Sequence, residues 1–486
     1  MATMMLLYWP QKTKNNQNYH VERKKKTIFT RPMPQSQIEK FEKAIIDTNW
    51  EIIFKEKSLS EKVEIFHNVL RSNLEKYCPE KVTKMSDLDR DWMSPHLKQL
   101  HRKMQREYFK RRKSEKFKEL KRKFKKLKRS TLRNFYSKFV SDLKETDPAK
   151  WYSMAKLIGA VEKGSHSEIK VKCLENLSSA QSAQKIAEHF SSISSEYKPI
   201  NIHNLPSYLP AQPPPLIEEY DVYKKIIRLK KTKTTLPVDI PAKLRKECAP
   251  FLAAPLSDIY NHSLSIGQYP CKWKFEWVTP APKVNEPHTM SDLRKIACTS
   301  DYSKIFEGFL KDWILEDISD RLDIGQFGGQ PGIGTEHMIV CLIDRILKLL
   351  DTHQDKSAVI ASCLDWSSAF DRQDPTIAIQ KFIQLGVRAS LIPLLISYLS
   401  DRKMQVKFND EVSELLTLIG GGPQGTLLGG LEYLVQSNDN ADNVEPRNRF
   451  KYICTAANTF ILSPDRVQLE SACGFRYWCE PEISVQ

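Results

Sequence analysis

The chain has 486 residues and a formal net charge of +16, from 75 Lys and Arg against 59 Asp and Glu, with 41% hydrophobic and 10% aromatic residues. That length suits about three domains, and the apolar fraction excludes a chain that is disordered throughout. No run approaches the roughly 18 consecutive apolar residues of a membrane span, and Met1 to Tyr8 is too short for the apolar core of a secretory signal, so membrane and secreted classes drop out. The ten cysteines, from Cys78 to Cys479, contain no C-x-x-C pair, and Cys473 and Cys479 have no neighbouring His. This argues against a zinc knuckle and for reduced thiols in an intracellular protein, nuclear or cytoplasmic.

Residues 1–35 are polar, without a period, and are expected to form a disordered lead. From Gln37 to Tyr77 the apolar positions Ile38, Phe41, Ile45 and Ile46, then Val63, Phe66, Val69 and Leu70, follow helical spacing. Between Lys98 and Arg133 there are 18 Lys or Arg against three acids, a net of +15 in 36 residues, so nearly all of the excess charge lies here. Leu97, Leu100, Met104 and Tyr108, then Phe117, Leu120, Phe124 and Leu127, recur at steps of three and four. That predicts a long helix with one apolar face and a cationic remainder. Such a helix suits a phosphate backbone, although a solvated charged helix or a localisation signal has the same pattern. Residues 36–200 therefore read as an all-helical basic region, with a further helical pattern near Ala183 to Phe190. Residues 201–218, with Pro206, Pro210 and Pro213 to Pro215, read as a linker and a domain boundary.

Beyond the linker the pattern becomes mixed α+β. Helical patterns at Tyr220 to Lys231, Leu252 to Ser265 and Tyr302 to Asp320 alternate with a strand candidate at Phe275 to Thr279. Ser357 to Leu364 is mostly apolar with β-branched residues, as buried strands are, and it runs into Asp365. An acid at that place, ahead of a helix at Pro375 to Leu385, is either a metal ligand or a helix cap.

Two strings carry more. Leu364-Asp-Trp-Ser-Ser-Ala-Phe-Asp371 is followed about 50 residues on by Gly420-Gly-Gly-Pro-Gln-Gly-Thr-Leu-Leu-Gly429. Together they resemble motifs A and B of reverse transcriptases encoded by non-LTR (LINE-type, jockey-like) retrotransposons. Trp273 to Lys283, Asp292 to Ser300, Lys304 to Glu307 and Gly325 to Thr335 are similar to that family's fingers motifs, and Leu385-Gly386 and Tyr398 to Arg402 also fit. The resemblance runs from about Leu229 to Leu462, and the basic helical region resembles the family's connector. It implies an α+β reverse-transcriptase fingers and palm unit over 219–462, preceded by the helical basic region.

The resemblance also implies roles. Asp365 would be the catalytic carboxylate on Mg²⁺. Phe370 matches the aromatic gate that excludes a 2′-OH by bulk, although a lone Phe is ordinarily core. Lys283 and Arg294 match the cations that hold the incoming dNTP, where a solvated surface is the ordinary alternative. Gln424 matches the position beside the nascent base pair, with Gly422 and Gly425 giving the backbone room; otherwise this is a glycine turn.

The pattern breaks at motif C. Where the family has Ala-Asp-Asp-Thr, this chain reads Ala456-Ala-Asn-Thr459, so Ala457 and Asn458 stand where two aspartates are expected. Asp439, Asp442 and Glu445 read as a polar loop rather than substitute ligands. The 463–486 tail is too short for a thumb, and nothing in the first 200 residues resembles the endonuclease of complete elements. The expectation is a reverse-transcriptase domain, an RNA-directed DNA polymerase by resemblance, with polymerisation impaired. The alternatives are a catalytically inactive RNA- or DNA-binding remnant and a poorly folding relic.

Overall fold

The computed structural model describes residues 25–86, 92–110, 114–144, 169–200, 213–229, 236, 239–284, 286–352, 359–365, 368–409, 411–440, 446–453 and 457–463. By internal packing the chain divides into residues 1–34 with 78–167, and residues 35–77 with 168–486. The expected tail, the centre of the proline stretch, Asp442 and Glu445 lie outside the described residues. The division does not follow the proline stretch, because the helices of 35–77 pack with the later part of the chain.

In the first unit, strand β1 (Lys25–Thr30) pairs antiparallel with β2 (Lys81–Ser86), Thr27 opposite Lys84 and Phe29 opposite Val82. This corrects two expectations, a disordered lead to residue 35 and an all-helical region after it. Both segments combine Lys with Thr and with Ile, Phe or Val, and the β-branched and aromatic residues suit a pleated surface, but neither shows a regular period of two. Three helices of the second unit fall between them in sequence: α1 (Gln35–Ile46), α2 (Glu51–Lys55) and α3 (Leu59–Tyr77).

The first unit continues with α4 (Pro95–Lys110) and α5 (Glu115–Lys144). The expected single basic helix is thus two. Ser114 starts the second: its Oγ accepts from the Phe117 N–H at 3.1 Å and its carbonyl from the Lys118 N–H at 3.0 Å, an N-cap that satisfies donors at a helix start. The rings of His101 and Phe124 lie 5.2 Å apart and those of Tyr108 and Phe117 5.3 Å apart. The first third of α5 therefore runs back along α4, and the hairpin closes its two apolar stripes on each other.

The second unit surrounds a five-stranded sheet. Helix α6 (Ser179–Ser192) opens with a capping box between Ser178 and Gln181. It is followed by α7 (Glu219–Arg228), α8 (Ala242–Glu247) and α9 (Ala249–Ile266), which ends at Gly267. Strand β3 (Phe275–Pro282) then pairs antiparallel with β4 (Leu293–Cys298). Helices α10 (Asp301–Ile318) and α11 (Thr335–Thr352) lead to strand β5 (Ile360–Asp365), and α12 (Pro375–Gln384) and α13 (Ile392–Leu399) follow. Strand β6 (Arg402–Phe408) returns parallel to β3 and also pairs antiparallel with β7 (Glu411–Val412) and β8 (Leu416–Leu418). After α14 (Leu427–Gln436), strands β9 (Arg449–Ile453) and β10 (Ala457–Ser463) join β5 in a separate antiparallel sheet of order β5-β10-β9.

One core lies between α6 and the larger sheet, where Ala183, Ile186, Ala187 and Phe190 meet Val278, Ala297, Met404 and Val406. A second, aromatic region includes Tyr260 stacked on Phe306 with ring centres 4.8 Å apart, and Trp273, whose indole N–H donates to His67 Nε2 at 2.9 Å. Among the described residues no helix is long and apolar enough to cross a membrane.

Candidate functional site

Asp365 closes β5, and its Cα partner across the sheet on β10 is Asn458, which in turn faces Tyr452 on β9. Asn458, which the resemblance sets at an expected motif C aspartate, is therefore the direct cross-strand neighbour of Asp365. Helix α12 has its cap elsewhere: Asp374 accepts from the N–H groups of Thr376 and Ile377 at 2.8 and 3.4 Å, so Asp365 does not serve as that cap. Of the acids set aside as a polar loop, Asp439 forms an ion pair with Lys381.

Beyond Asp365 the chain turns sharply, with Ser368 at φ 51°, and this turn is where motif B docks. The Gly422 N–H donates to the Phe370 carbonyl at 2.7 Å, and the Gly421 N–H to the Gln373 carbonyl at 2.8 Å. The Phe370 ring, half-buried, lies 5.6 Å from that of Tyr433 on α14. A Cβ on Gly422 would fall 1.8 Å from Gln373 Oε1, and one on Gly425, at φ +116°, would fall 2.7 Å from the Ala297 carbonyl oxygen. The glycines thus give room to this protein's own backbone and side chains. Gln424 is tied to the same strand, its carbonyl accepting from the Ala297 N–H at 3.0 Å.

Lys283 and Arg294 sit at the loop end of the β3–β4 hairpin. The Lys283 N–H donates to the Asp292 carbonyl at 2.7 Å and its Nζ to the Ser291 carbonyl at 2.8 Å, while Arg294 is the register partner of Ala281. The half-buried His189 of α6 connects this end to the motif A turn. Burial holds its imidazole below the ordinary histidine value, while nearby Asp371 raises it and Lys283 lowers it again.

A buried set of charged groups lies beside these residues, and motif matching did not single its members out. Glu276 of β3, Lys295 of β4 and Arg402 of β6 each occupy a core-facing position of an alternating strand. The Arg402 Nε donates to Glu276 Oε1 at 2.8 Å, and Lys295 Nζ stands 3.6 Å from Glu276 Oε2 and 3.8 Å from Asp371 Oδ1. Burial alone would raise the Glu276 carboxyl; Lys295 and Arg402 together override it and hold the group below the usual carboxylate range. Asp371 goes the other way, because burial, with Glu276 adding to it, outweighs Lys295, Lys283 and His189. On α14, burial pushes the Glu432 carboxyl up to about 8, with Arg402 only partly opposing.

Glu307 on α10 completes the arrangement. Its carboxylate accepts from the Leu427 N–H at 2.9 Å and the Leu428 N–H at 3.4 Å, at the start of the helix that follows motif B, where a negative charge meets the positive end of the helix dipole. Glu276, Lys295, Glu307, Asp371 and Arg402 all lie inside the strings that carry the family resemblance. The sequence signal that could have found three of them is a charge on the core-facing side of a half-buried strand. Glu432 and Gln373 leave no such mark.

The class of protein to which this chain is similar is the RNA-directed DNA polymerase of transposons. The particular relatives, all from Drosophila melanogaster, are the probable RNA-directed DNA polymerase from transposon BS, at 30% identity over 187 residues, that from transposon X-element, at 28% over 185, and the RNA-directed DNA polymerase from mobile element jockey, at 25% over 187. Each likeness covers 37–38% of this chain and 20% of the relative, so the chain spans about a fifth of the length of the curated relatives it matches. No family model matches. A likeness to apo telomerase from Candida Tropicalis truncated from its C-terminal domain has a TM-score of 0.28 at 11% identity, over 41% of this chain and 45% of that one, and carries no argument.

Proposed function

We propose that this chain is the reverse-transcriptase domain of a non-LTR mobile element in which nucleotidyl transfer is impaired and nucleic-acid binding is kept. The observation that carries this reading is the register of β5 and β10. In-line phosphoryl transfer by two Mg²⁺ ions needs several anionic oxygens at fixed positions, and the strand pair offers Asp365 opposite Asn458, one carboxylate and one amide. Ala457 adds no donor. That donor set does not fit a two-metal site.

The remaining assignments form one arrangement. Lys283 and Arg294 are the residues suited to a dNTP triphosphate, and Phe370 the one suited to exclude a 2′-OH. Gln424, Gly422 and Gly425 form a loop fastened to the motif A turn. RNA or DNA is the partner this chemistry implies, and the cationic faces of α4 and α5 suit its backbone.

The test is templated primer extension by the purified chain with Mg²⁺ or Mn²⁺, beside Asp365→Asn and the double variant Ala457→Asp/Asn458→Asp. The expected result is little or no extension by the natural chain and a metal-dependent gain in the double variant. Extension by the natural chain that disappears with Asp365→Asn would overturn the impairment. A double variant that remains folded yet inert would count against the motif alignment.

A further inference from the structure

The far end of the α4–α5 hairpin carries aromatic rings that the hairpin seam does not use up. Tyr108 closes the seam against Phe117, and Lys121 Nζ lies 5.8 Å from the centre of the Phe117 ring. Phe109, beside them in a T-shaped contact with Tyr108 at 5.7 Å, remains 82% exposed. Exposed cations flank it on both helices, among them Lys103, Arg106 and Lys110 before the turn and Lys116 and Arg122 after it.

We propose that this tip is a single-strand binding element, Phe109 stacking on an unpaired base of RNA or DNA while the cations along α4 and α5 follow the phosphates. This rests on the reading of the hairpin as a nucleic-acid surface and adds to it which form of nucleic acid the tip selects. A lone exposed Phe on a neutral surface would mean little. Set among cations, its open face matches what single-strand binders combine, a stacking ring and an electrostatic track. The available apolar area also decides between partners. The stripes of both helices are turned toward each other at His101–Phe124 and Tyr108–Phe117. Among the described side chains, what is left outside at the tip is about one ring, the size of a base and far short of the broad apolar face with which an amphipathic helix enters a membrane. A duplex keeps its bases stacked inside and offers Phe109 little to touch.

The experiment uses the full chain and fluorescein-labelled oligo(dT) of about 20 nucleotides, with a blunt duplex of the same length, read by anisotropy at several salt concentrations. Phe109→Ala is expected to weaken oligo(dT) binding about tenfold with an unchanged salt slope and to leave duplex binding as it was. Phe109→Trp should bind as well as the natural chain. Lys110→Gln with Lys121→Gln should weaken both ligands and flatten both salt slopes. Equal loss on the two ligands in Phe109→Ala, or loss on neither, would overturn the stacking role while leaving the hairpin a phosphate-binding surface. No binding of either nucleic acid would remove the hairpin reading itself. Phe109-dependent binding to anionic phosphatidylserine vesicles, with oligo(dT) binding unaffected, would assign the tip to a membrane instead.

Discussion

The charges of the β3–β6 region and those of the α4–α5 hairpin are the same residue types used in opposite ways. Glu276, Lys295 and Arg402 are each at most 3% exposed and meet specific partners. The hairpin cations are largely on the surface, and several of their ion pairs are the local kind one helical turn apart, such as Lys118 with Glu115 and Lys123 with Glu119. A buried charge acts through position, because a misplaced partner leaves it desolvated and uncompensated. An exposed charge acts through number, because screening makes each one nearly interchangeable. One region fixes where the motif A turn and motif B loop sit; the other supplies a diffuse field.

That contrast can be tested from its steepest side. Arg402→Leu strands Glu276 in the core and is expected to cost about 3–5 kcal/mol, read by urea unfolding, with part of the loss recovered when Glu276→Gln is added. Recovery is the informative outcome, since simple loss of packing would not give it. Gly425→Ala sets a Cβ against the Ala297 carbonyl at a positive φ, and about 2 kcal/mol of destabilisation is expected.

A smaller and pH-dependent effect should come from Glu432. Its carboxyl, raised from 4.5 to about 8, keeps a proton in the folded chain that the unfolded chain gives up across that window. Stability from this group is complete below 4.5 and declines as pH rises toward 8. Glu432→Gln removes the decline, so its advantage over the natural chain should grow from near zero to about 1–3 kcal/mol as pH rises. Thermal melts at a series of pH values measure it, and an advantage that does not change with pH would break the assignment. At the shallow end, Lys125→Gln on α5 should leave stability within about 0.5 kcal/mol and, if it touches a phosphate, lower the salt slope of binding by about one.

How much could be read in advance follows the same division. Helices α1, α3, α6, α7, α9, α10 and α12 of the second unit and the strand ending at Asp365 were legible because long apolar periods and a β-branched run announce themselves locally, whereas α8, α11, α13 and α14 were not read. The β1–β2 pair was not, since its two halves lie about 50 residues apart in sequence and only together form a sheet. The break at Ser114 was also missed, although the step of nine residues from Tyr108 to Phe117 puts the second apolar stripe about half a turn out of phase with the first. The family resemblance names Asp365, Phe370, Lys283 and Gln424 as candidates from local strings. That Glu307 serves the start of α14, or that Asn458 lies directly across from Asp365, depends on pairings over long separations. No local pattern encodes those.

The Arg402–Glu276 bond also bears on the chain as it is being made. The two residues are 126 positions apart, so at the usual pace of synthesis, about 5–20 residues per second, β3 emerges on the order of ten seconds before the strand that pairs with it in parallel. During that interval β3 can join only β4, and Glu276 has only Lys295 of its eventual cationic partners. The larger sheet is therefore an obligatorily late structure. A ribosome that stalls between Cys298 and Arg402 would hold out a half-built sheet with an open edge, the state in which a chain of this kind is most exposed to chaperones and to aggregation.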